Sequence, residues 1–145
     1  MSEKVQVVIL KKSSSNEDYY ALLLQTNKTR GHFWQNITGG VEDIDTNIFA
    51  AAQREISEEI NVEQKIENIV YLDKYFEYFD TNRKTQFKEH LFLSIIPSDS
   101  VITISGEHVD YKWCPLESLT IQDFGFESSY QAISSTIEYL KKGTS

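Results

Sequence analysis

Cysteine is nearly missing from this chain of 145 residues: Cys114 stands alone. That excludes an intrachain disulfide and a cysteine-built zinc cluster. Flanked by Trp113 and Pro115 at what reads as a strand end, Cys114 is expected to be a small half-buried hydrophobe rather than a nucleophile. Long apolar runs are missing too. The N-terminal MSEKVQVVILKK holds only a short one between lysines, and nothing approaches the roughly 18 apolar residues that span a bilayer. Neither a secretory leader nor membrane association is expected, and the reading is a cytoplasmic protein. Positive charge is scarce, with 14 Lys and Arg against 22 Asp and Glu, a net charge of −8. Binding to long nucleic acids depends on neutralising many phosphates, so that function class is excluded. A small polyanionic substrate stays open, provided metal ions screen the carboxylates. His32, His90 and His108 share no ligand spacing and read as ordinary polar residues. Repeats and low-complexity segments are also lacking.

What remains is enough for one domain over residues 1–145, with 40% apolar residues to supply its core. Lys4 to Lys11 reads as a buried strand, and Tyr19 to Thr26 as a second strand antiparallel to it, across a turn from Ser13 to Asp18. Phe33 to Thr38 is a short strand leading into Gly39-Gly40. Ile66 to Phe79 and Gln86 to Pro97 form a long hairpin, and its aromatics are expected to pack across strands. An apolar segment follows through Val101, Ile102 and Ile104. Val109 to Cys114 is the last strand, closed by Pro115, which cannot donate to a ladder. Ser129 to Lys142 reads as a helix covering the sheet, with Ile133, Ile137 and Leu140 at helical spacing.

The chain is organised around Gly39 to Val62, GGVEDIDTNIFAAAQREISEEINV. A helix is expected to start at Thr46 or Asn47, both good N-cap types. Its apolar stripe is Phe49, Ala52, Ile56 and Ile60. At about 100° per residue, Glu55 and Glu59 lie roughly 40° apart beside that stripe, at the seam between helix and sheet. Like charges at this spacing repel by roughly a few tenths of a kcal/mol per pair. A divalent cation bound through oxygen is the obvious compensation. An isolated run of this kind usually makes a solvated face. Here the preceding Gly-Gly loop and Arg54 argue for a site.

These residues resemble the Nudix box, G-x5-E-x7-R-E-U-x-E-E-x-G-U with U a bulky apolar residue. Gly40, Arg54, Glu55, Ile56, Glu58, Glu59 and Val62 fall in register. Thr46 stands in place of the first Glu and Asn61 in place of the second Gly. Asn tolerates the left-handed backbone such a position adopts. Thr46 takes away the carboxylate expected to pair with the arginine, and Asp45 or Glu42 are candidates to replace it. The resemblance implies an α+β Nudix fold, a mixed curved sheet sandwiched between helices. It also implies hydrolysis of a phosphoanhydride with Mg2+ or, as the alternative, Mn2+. Glu55 and Glu59 would be the main metal ligands, with Glu58 and the Gly39 carbonyl beside them, and Arg54 would hold the loop.

Beyond the box, FWQNITGGVE, the strand ending at Pro97, EHVDYKW and a late S-x-x-Q-A-I resemble the bacterial dihydroneopterin triphosphate pyrophosphatases of folate synthesis. This likeness implies that Glu107 is a metal ligand or the base acting on water, and it makes Glu58 and Glu59 catalytic with it. Lys4, Trp34, Thr38 and Ser128 would contact a small-molecule polyphosphate. Thr26 replaces an arginine expected at the phosphates. A dinucleoside polyphosphate or dATP as substrate, and a Nudix-fold binding module with weakened catalysis, are the alternatives. A homodimer is compatible with all of them.

Overall fold

Val5 to Leu10 are buried without a break along β1 (Ser2–Lys12). Successive side chains on a strand point to opposite faces, so such a run needs cover on both sides. In the computed structural model, which describes every residue except Met1, Ser14, Asn16, Glu17, Thr144 and Ser145, a helix supplies it on each face. Val5, Val7 and Ile9 pack with Ala52, Ile56 and Ile60 of α1 (Ile48–Ile60). Val8 and Leu10 pack with Ala132 and Ile133 of α2 (Glu127–Gly143). The turn expected at Ser13 to Asp18 falls partly on Ser14, Asn16 and Glu17, outside the described residues.

The sheet is mixed, with β2 (Tyr19–Thr26), β3 (Trp34–Gln35), β4 (Ile37–Gly40), β5 (Ile69–Asp80), β6 (Thr85–Ile95) and β7 (His108–Pro115) around β1. Its order is β3-β2-β1-β6-β5, with β4 also paired to β1 and β7 to β2. Among the described residues only the β1–β6 ladder is parallel. The α+β architecture is therefore the expected sheet between two helices.

Three local features matter, the first a correction. Phe33 to Thr38 is not one strand. It divides at Asn36, so that Trp34 and Gln35 pair with β2 while Ile37 to Gly40 pair with β1. Residues 98–105 form no strand. Instead the Thr103 and Ser105 N–H groups donate to the Ile60 and Glu59 carbonyls at 3.1 and 3.0 Å, satisfying acceptors that a helix end leaves open. Finally, the β2–β7 ladder slips between Gln25 and Thr26, which sets Thr26 opposite His108.

Caps fix the ends of α1. Asn47, rather than Thr46, is the N-cap, its side chain accepting from the Ala50 N–H at 2.9 Å. Asn61 closes the helix in the left-handed conformation at φ 56°. Among the described residues, no helix is long and apolar enough to cross a membrane.

Candidate active site

The apolar stripe of α1 faces β1, and this carries Glu55 and Glu59 into the seam. They are 8% and 5% exposed, so the seam expected from the sequence buries them almost fully. The cause is a close approach. A Cβ at Gly39 would coincide with the Glu55 carboxyl carbon and both of its oxygens, whereas one at Gly40 would meet open space. Gly39 is thus the glycine that makes room for the carboxylate. The conflicting atoms are the far end of a flexible side chain, so Gly39→Ala displaces Glu55 more than it strains the fold. We expect this variant to lose at least about tenfold in hydrolysis while its stability falls by less than about 1 kcal/mol, read by steady-state rates beside thermal melts.

Arg54 ties the loop between β4 and α1 to the helix. Its Nε and Nη2 donate to the two Asp45 carboxylate oxygens at 3.0 and 2.9 Å. A further Nη2 bond reaches the Gly40 carbonyl at 2.8 Å. Nη1 meets Glu55 at 3.0 Å, both Glu58 oxygens at 3.1 and 3.0 Å, and Glu42 at 3.3 Å. Of the two replacements considered for the missing box glutamate, Asp45 makes the forked pair and Glu42 only a looser, exposed contact. The Asp45 side chain is 3% exposed, and its hydrogen bonds from Arg54 hold its pKa below the ordinary value.

Glu55 behaves differently. Burial pushes its pKa up to about 7, against the opposing pull of Arg54, with the negative charges of Glu58 and Glu59 adding to the rise. A folded pKa above the unfolded one means stability is full below about pH 4.5 and is lost as pH rises through about 7. The difference is worth up to about 3 kcal/mol. In metal-free protein, Glu55→Gln is accordingly expected to be the more stable form at pH 8, with the advantage vanishing near pH 4. Denaturant unfolding in chelator at both pH values checks this, and a variant no more stable than wild type at pH 8 would count against it.

Glu59 meets a residue that the sequence reading passed over. Its Oε2 lies 3.0 Å from Nδ1 of His108, whose side chain is 1% exposed, and its Oε1 accepts from Ser105 Oγ at 3.4 Å. The imidazole nitrogen sits close to the carboxylate but off the axis a hydrogen bond needs, leaving Nδ1 unsatisfied. On its other side, Nε2 lies 3.3 Å from the Gln35 amide nitrogen. The ladder slip opposite Thr26 turns His108 inward and its neighbour Glu107 outward. Glu107 is 58% exposed at its side chain and pairs with Arg30 at 3.7 Å. As it stands, Glu107 does not join Glu55 and Glu59.

Lys4, Trp34 and Thr38 lie on the other face of the sheet. Lys4 alternates with the α1-facing Val5 and is in register with Gly40; Thr38 is opposite Gln6, and Trp34 packs into the α2-side core. Ser128 is half-buried in the first turn of α2. The Lys4 ammonium sits 4.6 Å from the Phe87 ring centre and 5.9 Å from that of Tyr78. Burial lowers its pKa, with Glu89 opposing. Thr26 is buried, its hydroxyl accepting from the Phe33 N–H at 3.0 Å, so it offers nothing to a phosphate. Also missed was a buried polar row beneath Lys4. Gln6 donates to Glu89 at 3.0 Å, and Asn36 donates to Gln6 at 2.8 Å and to the Ser129 carbonyl at 3.1 Å. The available signal was polar residues inside apolar strands, VQVV and KEHLF.

Among the described residues, no three Asp, Glu, His or Cys side chains converge as a ready cation cage. Arg54 holds Glu58, and Glu107 faces Arg30. The donor chemistry nevertheless fits a hard divalent cation. Two buried carboxylates share one helix face, Glu55 is incompletely neutralised by Arg54, and the Gly39 backbone lies against it. A cavity of about 480 Å3 beside Lys11, Tyr20 and Trp113 shares none of these residues.

Residues 3–134 match the family described as NUDIX domain. The dihydroneopterin triphosphate diphosphatase of Escherichia coli strain K12 is 30% identical over 107 residues, covering 67% of this chain and 70% of the relative. The solved structure of E. coli dihydroneopterin triphosphate pyrophosphohydrolase superposes with a TM-score of 0.71 at 26% identity, covering 90% of this chain and 91% of the other. A C. elegans Ap4A hydrolase in binary complex shares the fold, with a TM-score of 0.77 at 22% identity over 98% and 99% of the two chains. With a family match running nearly end to end and a box whose arginine meets Glu55 and Glu58, the chain belongs to the Nudix hydrolases.

Proposed function

We propose that this chain is a Mg2+-dependent pyrophosphohydrolase of nucleoside-triphosphate-like substrates, dihydroneopterin triphosphate foremost, releasing pyrophosphate and a monophosphate. That substrate would place it in folate synthesis. The observation that carries the reading is the pair of buried carboxylates, Glu55 and Glu59, pressed against Gly39 and braced by Arg54. Support for the substrate comes from the E. coli relative, whose name states it.

Glu55 and Glu59 would hold the cation, joined by Glu58, the Gly39 carbonyl and Glu107. Bound there, Mg2+ would neutralise phosphate oxygens and acidify a water. The chain's own residues do the rest. Glu58 and Glu107, at 50% and 58% side-chain exposure, would leave their pairs with Arg54 and Arg30 to turn toward an attacking water and take its proton on a carboxylate oxygen. Lys4, whose backbone is in register with Gly40 and whose ammonium lies over Phe87, would supply a positive charge to the polyphosphate. Beside this ammonium Tyr78, partly exposed and stacked on the buried Phe87, would offer a flat surface to a ring.

Product identity tests the assignment. Incubated with Mg2+ and dihydroneopterin triphosphate, dATP or a dinucleoside tetraphosphate in turn, the chain is expected to turn over the pterin fastest and to release pyrophosphate. Release of two mononucleotide products from the dinucleotide at a higher rate would favour that alternative. Tight nucleotide binding with no turnover would make the chain a binding module.

A further inference from the structure

We infer that His108 is a positioning residue that sets the Glu59 carboxylate for cation binding, itself oriented by Gln35. The inference deepens the proposed function and rests on Glu59 being a metal ligand. Three elements converge on this contact. Glu59 comes from the last turn of α1, His108 from the first position of β7, and Gln35 from β3.

A buried polar nitrogen without an aligned partner requires an explanation, because leaving it so costs roughly 1–3 kcal/mol. The His108 side chain is 1% exposed, yet Nδ1 has no aligned hydrogen bond, and it lies 3.0 Å from Glu59 Oε2. A core histidine kept only for packing would turn its nitrogens to backbone or water. Here the slip between Gln25 and Thr26 turns the imidazole inward at the one place where it faces a carboxylate of the box. Gln35 decides which nitrogen carries the proton. With its amide NH2 donating to Nε2 across 3.3 Å, Nε2 is the acceptor and the ring proton resides on Nδ1, toward Glu59.

Glu59 then has a donor waiting on each oxygen, Ser105 Oγ at Oε1 and His108 Nδ1 at Oε2. A cation held by Glu59 would call on both donors, the second once the carboxylate turned toward Nδ1. Hydrogen bonds of this kind orient ligating carboxylates, and their loss commonly costs roughly ten- to a hundredfold in metal affinity.

The test is Mn2+ affinity, read by electron paramagnetic resonance on protein without substrate, alongside thermal melts. His108→Leu is expected to weaken binding by roughly ten- to a hundredfold. His108→Asn places an amide NH2 near the Nδ1 position and is expected to recover most of the affinity. His90, equally buried but paired with Glu3 and Tyr71, is the control. His90→Leu should lower the melting temperature and leave Mn2+ affinity unchanged. If His108→Leu does not fold, Gln35→Leu carries the test, with a severalfold weakening expected. Wild-type affinity in His108→Leu, or in Gln35→Leu where that variant decides, would overturn the inference. So would an Asn variant that folds and binds as weakly as Leu. These outcomes leave the proposed function standing. A wild-type chain that binds no Mn2+ would overturn both.

Discussion

Replacing Arg54 by alanine is expected to destabilise the chain by about 3–5 kcal/mol, the range seen when one partner of a buried ion pair is removed. The guanidinium is 14% exposed and the Asp45 side chain 3%, so the truncation leaves the carboxylate without the cation that covers and neutralises it. It also frees the Gly40 carbonyl and removes the cation that partly neutralises Glu55, whose pKa would rise further. The loop from β4 to α1 loses its only described cationic brace. At this chain length the loss corresponds to a melting temperature lower by roughly 10 °C. Lysine does not restore it, because the two bonds to Asp45 and the third to Gly40 need a planar fork rather than a point charge. Denaturant unfolding of Arg54→Ala and Arg54→Lys checks the expectation, and a loss below about 1 kcal/mol in the alanine variant would contradict it.

Glu59→Gln should behave in the opposite way, keeping the fold and losing the reaction. The amide is nearly isosteric, and its oxygen can still accept from Ser105 Oγ. What disappears is one negative charge at the point proposed to hold the cation. A lost ligand exceeds the roughly ten- to hundredfold penalty of a lost outer-shell contact, so Mg2+-dependent turnover is expected to fall by more than about a hundredfold. Glu63→Gln is the matched control. It lies just beyond the same helix, bonded to Ser57 Oγ at 2.8 Å and exposed. It should turn over like wild type. Wild-type turnover in Glu59→Gln would remove that residue from the ligand set.

The two contrasting outcomes show which parts of the site can be read from the chain. The spacing of Arg54, Glu55 and Glu59 lies within one helix, where geometry follows from sequence separation alone. The strands of β1 and β2 were equally legible, since near-continuous apolar runs declare burial on both faces. Partners across the fold were legible only in part. Asp45 stood beside Glu42 as a candidate partner of Arg54, and the folding of the loop back over the helix selects Asp45, out of register with the box position that Thr46 occupies. Whether Glu107 or His108 points inward depends on a one-residue slip in a ladder with β2, and a slip reverses faces without leaving a trace in composition. Gln6, Asn36 and Glu89 were hidden for another reason. A polar residue inside an apolar strand reads equally as an edge or as a buried bond, and only the partner decides. Here Gln6 is 1% exposed and Glu89 6%, with burial raising the Glu89 pKa.

Metal-dependent pyrophosphate release decides the assignment, measured as the initial rate from dihydroneopterin triphosphate by the wild-type chain while Mg2+ is titrated from chelator upward. No release in chelator and a saturable rise with Mg2+ are expected. No pyrophosphate at any Mg2+ concentration, or a rate indifferent to chelator, would contradict it.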